Sequence, residues 1–160
     1  MDAHEALQAT RSRLQEQHGG RRIEMRDPCA PGEVLVGCTD MLDAVFYNIL
    51  SNAAKFDRTD PLVLEVTCAP TADATAWRFE FRDHGPGIPD ALKQQVFNRL
   101  DGSRGTLTGR GLGLTIVQQI VRASGGRVWA GDRVPGDPTQ GACIVVELPR
   151  VRLPSEGRAG

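Results

Sequence analysis

Two hydrophobic periods sit side by side in this chain, and together they restrict what it can fold into. In Trp77-Arg78-Phe79-Glu80-Phe81-Arg82, the residues Trp77, Phe79 and Phe81 fall on one face and Arg78, Glu80 and Arg82 on the other, the period of a half-buried strand. Leu62 to Thr67 reads as a second strand, joined to the first by a hairpin loop. Just upstream, Leu42, Val45, Phe46, Ile49, Leu50 and Ala53 recur at helical spacing within residues 41–56 and form one apolar stripe.

The remaining segments extend the same mixture. Residues 3–18 read as a helix stopped by Gly19-Gly20. Residues 21–26 and 33–38 suit short strands, and Thr39-Asp40 suits the N-cap of the helix over 41–56. A glycine-proline turn at 84–89 leads to a short helix over about 90–96 and a Gly/Ser/Thr/Arg loop over about 98–110. Residues 112–124 predict a helix with Ile116, Val117, Ile120 and Val121 as its stripe, ended by Gly125-Gly126. Residues 127–130 and 142–148 read as paired final strands, and 150–160 as a loose tail. Strands and helices do not alternate as regular βαβ units. A layered sandwich is therefore expected rather than a doubly wound sheet.

Composition removes several functional classes. The 160 residues carry a net charge of −1, so nothing electrostatic points to nucleic acid or an anionic membrane as partner. No apolar run approaches the roughly 20 residues of a membrane span, and the N-terminus lacks the pattern of a secretion signal. Cys29, Cys38, Cys68 and Cys143 form no C-x-x-C pair and the three histidines are scattered, which disfavours a zinc site or disulfide framework. Reduced thiols in a cytoplasmic protein are expected, whether or not a parent protein is anchored in a membrane.

Three polar constellations could carry chemistry. Asn48, Asn52 and Lys55 lie at i, i+4 and i+7 and share a face of the helix distinct from its apolar stripe. That face is either merely solvated, or its amide oxygens ligate Mg²⁺, a hard cation that favours oxygen donors, beside a phosphate-neutralising lysine. Asp83 continues the odd parity of the aromatic strand. Either the strand persists and a carboxylate faces the core, where it needs a donor, or the strand ends at Arg82 and Asp83 opens a turn. In Asp83-His84-Gly85-Pro86-Gly87-Ile88, the missing Cβ atoms would let backbone approach a planar group. Finally, Gly109-Arg110-Gly111-Leu112-Gly113-Leu114 feeds a helix N-terminus, a setting suited to phosphate. It matches neither a P-loop nor a dinucleotide fingerprint.

The order and spacing of these elements resemble one family. Asn48-Ile49-Leu50-Ser51-Asn52-Ala53-Ala54-Lys55-Phe56, the D-x-G-x-G-I turn and G-x-G-L-G-L look like the N box and two glycine boxes of the GHKL (Bergerat) ATP-binding superfamily. Phe97-Asn98-Arg99-Leu100 resembles the phenylalanine box that begins an ATP lid, and Gly141-Ala142-Cys143-Ile144 the family's closing strand. The resemblance spans roughly residues 20–149 and points to the catalytic domain of a sensor histidine kinase. It implies an α+β fold, a two-layer sandwich with a mixed, mostly antiparallel sheet of about five strands covered by three helices.

Carried over residue by residue, the resemblance implies Mg-ATP as cofactor. Asn52 would be the principal Mg²⁺ ligand with Asn48 assisting, and Lys55 would reach the phosphates. Asp83 would accept a hydrogen bond from the adenine amine, with Gly85, Gly87 and Ile88 beside the base. Residues 98–110 would form the lid, from which Arg99, Arg104 or Arg110 could contact the γ-phosphate. Gly109, Gly111 and Gly113, with Leu112 and Leu114, would cradle the triphosphate. Asn48, Lys55 and Arg99 would act in catalysis.

Position 48 selects the branch, because ATP-hydrolysing relatives carry a water-activating carboxylate there and Asn48 cannot act as a base. Arg110, Asp101 and Ala142 depart from the common pattern without removing a proposed ligand.

The implied partners are the dimerisation and histidine phosphotransfer domain of the same kinase and, indirectly, a response regulator. The domain alone is expected to be monomeric. His4-Glu5 superficially resembles a phosphoacceptor dipeptide, but too little chain lies before Asn48 for the helical hairpin that carries such a histidine. The acceptor is thus expected elsewhere, with residues 1–19 a remnant of the preceding helix, 20–149 the catalytic domain and 150–160 a tail. A GHKL ATPase or anti-sigma-type serine kinase, and a non-catalytic nucleotide- or partner-binding module, are the competing readings.

Overall fold

A computed structural model describes residues 1–38, 41–98 and 108–151, with the side chains of 108–112 excepted. The elements run α1 (Ala3–Gln17), β1 (Ile23–Met25), α2 (Leu42–Phe56), β2 (Leu62–Pro70), β3 (Ala76–Arg82), two single 3₁₀ turns (Asp90–Leu92 and Gln95–Phe97), α3 (Thr108–Ala123), β4 (Arg127–Val134) and β5 (Asp137–Pro149). The five strands form one sheet in the order β1-β2-β3-β5-β4. Only β1 and β2 pair in parallel; every other pairing is antiparallel. This is the expected two-layer α+β sandwich with three helices.

Register explains the layering. Val66, Phe81, Ile144 and Ala130 lie in one cross-strand row, and Cys68, Phe79, Val146 and Val128 in the next. These rows face the helices. Every apolar-stripe residue of α2 is buried, and the Phe46 ring stands 5.2 Å from Phe79 and 5.4 Å from Phe81, tilted in both cases. Three mutually packed aromatic rings, two pairs tilted and the Phe79–Phe81 pair stacked at 6.4 Å, bring large buried apolar area together. The opposite face of the sheet mixes charged side chains with Cys143, Val145 and Trp129. There Arg78 donates to Glu147 through Nε and Nη2 at 3.1 and 2.9 Å, and Arg127 donates to the other carboxylate oxygen. Burial pushes the Glu147 carboxyl up, but these two guanidinium groups outweigh it and hold it below the usual range.

Helix α1 shares the same core. Ala3, Leu7 and Leu14 are fully buried, and Asp2 caps the helix by accepting the His4 N–H. All four cysteines are free thiols, with Cys29 and Cys143 buried. Among the described residues no helix is long and apolar enough to cross a membrane.

Three local expectations need correction. Residues 33–38 do not make a strand; Leu35 and Val36 form only isolated bridges, to Asp2 and Arg150. Their apolar side chains plug the core at a chain crossing, and a segment bonded on both sides by single residues has no room for a ladder. The helix expected over 90–96 is instead two 3₁₀ turns, because Pro89 and the adjoining glycine turn leave too short a segment for a stable α-helical nucleus. Helix α3 begins at Thr108, not 112, so Gly109, Gly111 and Gly113 lie within its first turns. Glycine costs a helix only about 1 kcal/mol per residue, which the buried Leu114 and Val117 further along can offset. The expected N-cap, Thr39-Asp40, lies outside the described residues; Met41 precedes the first residue of α2.

A candidate nucleotide site where helix α2 meets the β3 turn

The end of β3 is set by a backbone exchange with β5. The Asp83 N–H still donates to Ala142 O at 3.0 Å, although the strand itself stops at Arg82. Both sequence alternatives thus hold in part: the pairing runs one bond past the strand, and the turn starts there. In return Asp83 Oδ1 accepts the N–H groups of Ala142 at 3.1 Å and Gly85 at 3.0 Å. Two donors on one oxygen orient the carboxylate instead of leaving it to swivel.

That carboxylate borders a small cavity lined also by Ile49, Asn52, Leu64, Phe81 and Ile88. The structure therefore brings Asn52 to the same place as Asp83 and Ile88, which lie about thirty positions further along the chain. Ile88 is 2% exposed and belongs as much to the core as to the cavity.

The turn is closely packed. Gly87 has φ +76, and a Cβ there would lie 1.9 Å from Pro138 O. Gly141 has φ +89, and its Cβ would lie 2.0 Å from the carbonyl oxygen of Asp83. Each glycine allows a backbone approach that no other residue permits. A Cβ on Gly85 would stand 3.4 Å from the backbone of Asp57, so the turn rests on the C-terminal end of α2.

The other expected residues are distributed between two helices. Asn48 Nδ2 donates to Ala44 O one turn back at 2.7 Å, and its Oδ1 would meet a Cβ at Gly113 at 3.2 Å. Asn48 thus marks where α2 and α3 touch, away from the cavity that holds Asn52. Lys55 is exposed in the last turn of α2, with Nζ 5.8 Å from the Phe56 ring centre. The four N–H groups of a helix start have no partner within the helix, so in α3 they belong to residues 108–111 and include Gly109 and Gly111. Leu114 is fully buried and serves the core. Thr115 Oγ1 donates to Phe97 O at 3.0 Å, tying α3 to the second 3₁₀ turn. Arg99 and Arg104 lie outside the described residues, and of Arg110 and Leu112 only the helical backbone is described.

Sequence reasoning missed Asp57. This residue follows α2, is 0% exposed, and accepts the His84 N–H on Oδ2 at 2.8 Å. Its Oδ1 accepts Thr59 N–H at 3.0 Å and Thr59 Oγ1–H at 2.6 Å. Burial pushes the Asp57 carboxyl up, but the Thr59 and His84 hydrogen bonds and the Arg21 charge outweigh it and hold it below the usual range. A signal was available. A carboxylate at the negative end of a helix dipole is unfavourable without a specific partner.

Comparison with known proteins places the chain. Residues 37–152 match the family described as histidine kinase-, DNA gyrase B- and HSP90-like ATPase. The chain belongs to that family. It is 42% identical over 129 residues, 79% of its length, to the signal transduction histidine-protein kinase/phosphatase MprB of Mycolicibacterium smegmatis. A solved mycobacterial sensor histidine kinase MprB superposes with TM-score 0.75 at 26% identity, covering 96% of this chain and 97% of that one. Full-length ShkA, solved in complex with AMPPNP, superposes with TM-score 0.70 at 25% identity, covering 96% of this chain and 31% of that one. The chain spans only about a fifth to a quarter of the length of curated relatives of this kind.

Proposed function

We propose that this chain binds Mg-ATP and transfers the γ-phosphate to a histidine on a separate dimerisation domain, as the catalytic part of a two-component sensor kinase. The observation that carries the reading is Asp83. An oriented carboxylate beside Ile49, Leu64, Phe81 and Ile88 offers the chemistry that meets an apolar ring bearing an amine donor; the space between them is about 10 Å³, room for one water, so the site would have to open to admit the ring. Adenine is such a ring. The AMPPNP complex of a structural relative supports the same nucleotide class.

The residues present fit magnesium. Asn52, on the same cavity, offers an amide oxygen of the hard type that Mg²⁺ accepts, one turn from a second amide at Asn48. Magnesium, when bound, would neutralise triphosphate charge during transfer. The chain's own part is positioning: Asp83 would hold the base, Asn52 the metal and Lys55 the phosphates. Asn48, with its amide nitrogen committed to Ala44 O, provides no base for water. That favours transfer to an imidazole, which is nucleophilic when neutral, over hydrolysis. The depth at which α1 is buried supports counting residues 3–17 as the domain's own first helix, in place of a remnant of the preceding one.

Calorimetry with AMPPNP, with and without Mg²⁺, followed by phosphoryl transfer to a separately supplied dimerisation domain, tests the proposal. Binding and transfer are expected. Steady hydrolysis without acceptor would move the reading to an ATPase or serine kinase. No heat of binding would leave a docking module.

A further inference from the structure

Asp57 has no part in the proposed chemistry, yet it is fully buried and accepts from Thr59 N–H, Thr59 Oγ1–H and His84 N–H. It does not touch the cavity that Asp83 and Asn52 share. Its place at the C-terminal end of α2 is electrostatically unfavourable, so helix capping does not explain it. A local turn with Thr59 explains only Oδ1. Oδ2 reaches across 27 positions to the N–H of His84, the residue between Asp83 and Gly85. Arg21 completes the arrangement. It donates through Nη1 to Ala54 O at 2.6 Å and through Nη2 to Thr59 O at 2.9 Å and to Asp57 O, which places a cation where the helix end and the carboxylate both need one.

We propose that Asp57 is a positioning residue for nucleotide recognition, clamping the Asp83–Gly85 turn to the C-terminal end of α2. The inference rests on the reading of Asp83 as the adenine acceptor. Without the clamp, the turn loses its hydrogen bond to the end of α2 and is left with its contacts to β5, through Ala142, Gly87 and Gly141, and the His84–Glu65 pair at 3.6 Å. The Asp83 carboxylate could then shift relative to α2, which forms the opposite wall of the cavity through Ile49 and Asn52. Misplacement by a fraction of an ångström weakens a directional hydrogen bond before it disturbs the fold. The Asp57 carboxyl, held below the usual range, stays charged and so remains an acceptor for the His84 N–H.

The experiment compares Asp57→Asn with Thr59→Val in the 160-residue chain, measuring AMPPNP and GMPPNP affinity by calorimetry and thermal stability alongside. Asparagine can accept from only one of the two sides, whereas Thr59→Val removes one local donor and spares the His84 bond. Asp57→Asn is expected to weaken AMPPNP binding about tenfold and to reduce the preference for AMPPNP over GMPPNP. Thr59→Val should change affinity less than about twofold. If Asp57→Asn does not fold, Asp57→Ser, which keeps one hydroxyl acceptor, is measured in the same way. A lower melting temperature with the nucleotide preference intact means a structural role only and overturns the inference, as does unchanged affinity. If Asp83→Asn weakens binding and Asp57→Asn does not, the clamp fails while the nucleotide reading stands. If the unmodified chain binds neither nucleotide, the nucleotide reading fails, and the clamp with it.

Discussion

The turn that carries Asp83 and the helix that carries Asn52 line one cavity, with Asn48 and Gly113 at the α2–α3 contact away from it, and turn and helices are held by different means. The turn is fixed by backbone. The N–H groups of His84 and Gly85 are taken up by carboxylates, and Gly87 sits so close to Pro138 O that no Cβ is tolerated there. The helices are fixed by their apolar stripes, and their polar residues stand on the remaining face, half-buried at Asn48 and Asn52 and exposed at Lys55. The contrast teaches where specificity and adjustability reside. On the proposed reading, a base would be selected by a rigid carboxylate, whereas phosphates and a cation would be met by side chains that turn about their own bonds.

The comparison is broken most severely at Gly87. A methyl there meets Pro138 O at 1.9 Å on a backbone with positive φ, so Gly87→Ala should cost about 3–4 kcal/mol, read from denaturant unfolding. A change under about 1 kcal/mol would show that the turn is not tightly seated. Next, Asp83→Asn should weaken adenine-nucleotide binding by about 1–3 kcal/mol in a folded protein, the cost of one charge-assisted hydrogen bond. Unaltered affinity removes the adenine role. Asn52→Ala should abolish the Mg²⁺ dependence of that affinity while leaving magnesium-free binding nearly as it was; a surviving dependence places the metal elsewhere.

Acid should act on both regions of buried carboxylate. Asp57 and Glu147 are held below the usual range, so each stabilises the fold fully above its unfolded value, near about 4, and loses that contribution as pH falls through its lowered folded value. Thermal stability should thus be flat from about pH 7 to 5 with respect to these groups and decline below about 4. A decline that begins near neutrality would implicate another group. The smallest effect belongs to Gly113→Ala. Its methyl presses only on the Asn48 amide at 3.2 Å, and alanine favours the helix by about 1 kcal/mol, so the net change should stay within about 1 kcal/mol. A larger loss would mean that Asn48 is held as rigidly as the turn.

Much of the fold was legible because its signals are local. The stripe of α2 is buried at every position that the helical period marks, and Trp77, Phe79 and Phe81 are buried as strand parity requires. The errors fell where the local pattern is short or equivocal. Residues 33–38 are apolar enough for a strand, but single bridges to Asp2 and Arg150 take up their backbone. Gly109 to Gly113 look like a loop by composition, but a continuous helix from Thr108 runs through them. At the site, Asn52 and Asp83 stood out by helical spacing and strand parity, and the resemblance then implied their roles. Asp57 was missed because its partner, His84, is named by no spacing rule.

What the sequence determined by itself, then, was which faces are apolar and which polar groups are unusual for their place. A periodicity of side chains follows from backbone geometry that every residue shares, and it can be read without knowing the neighbours. Tertiary structure alone decided which distant groups touch: His84 N–H on Asp57, Pro138 O over Gly87, Asp83 on Ala142. Those contacts are single backbone approaches, fixed by how β5 and α2 close on the turn, and a single approach leaves no period to read. The strand that opened the sequence argument at Trp77 thus ends in a carboxylate whose direction the sequence left open and the pairing with β5 decided.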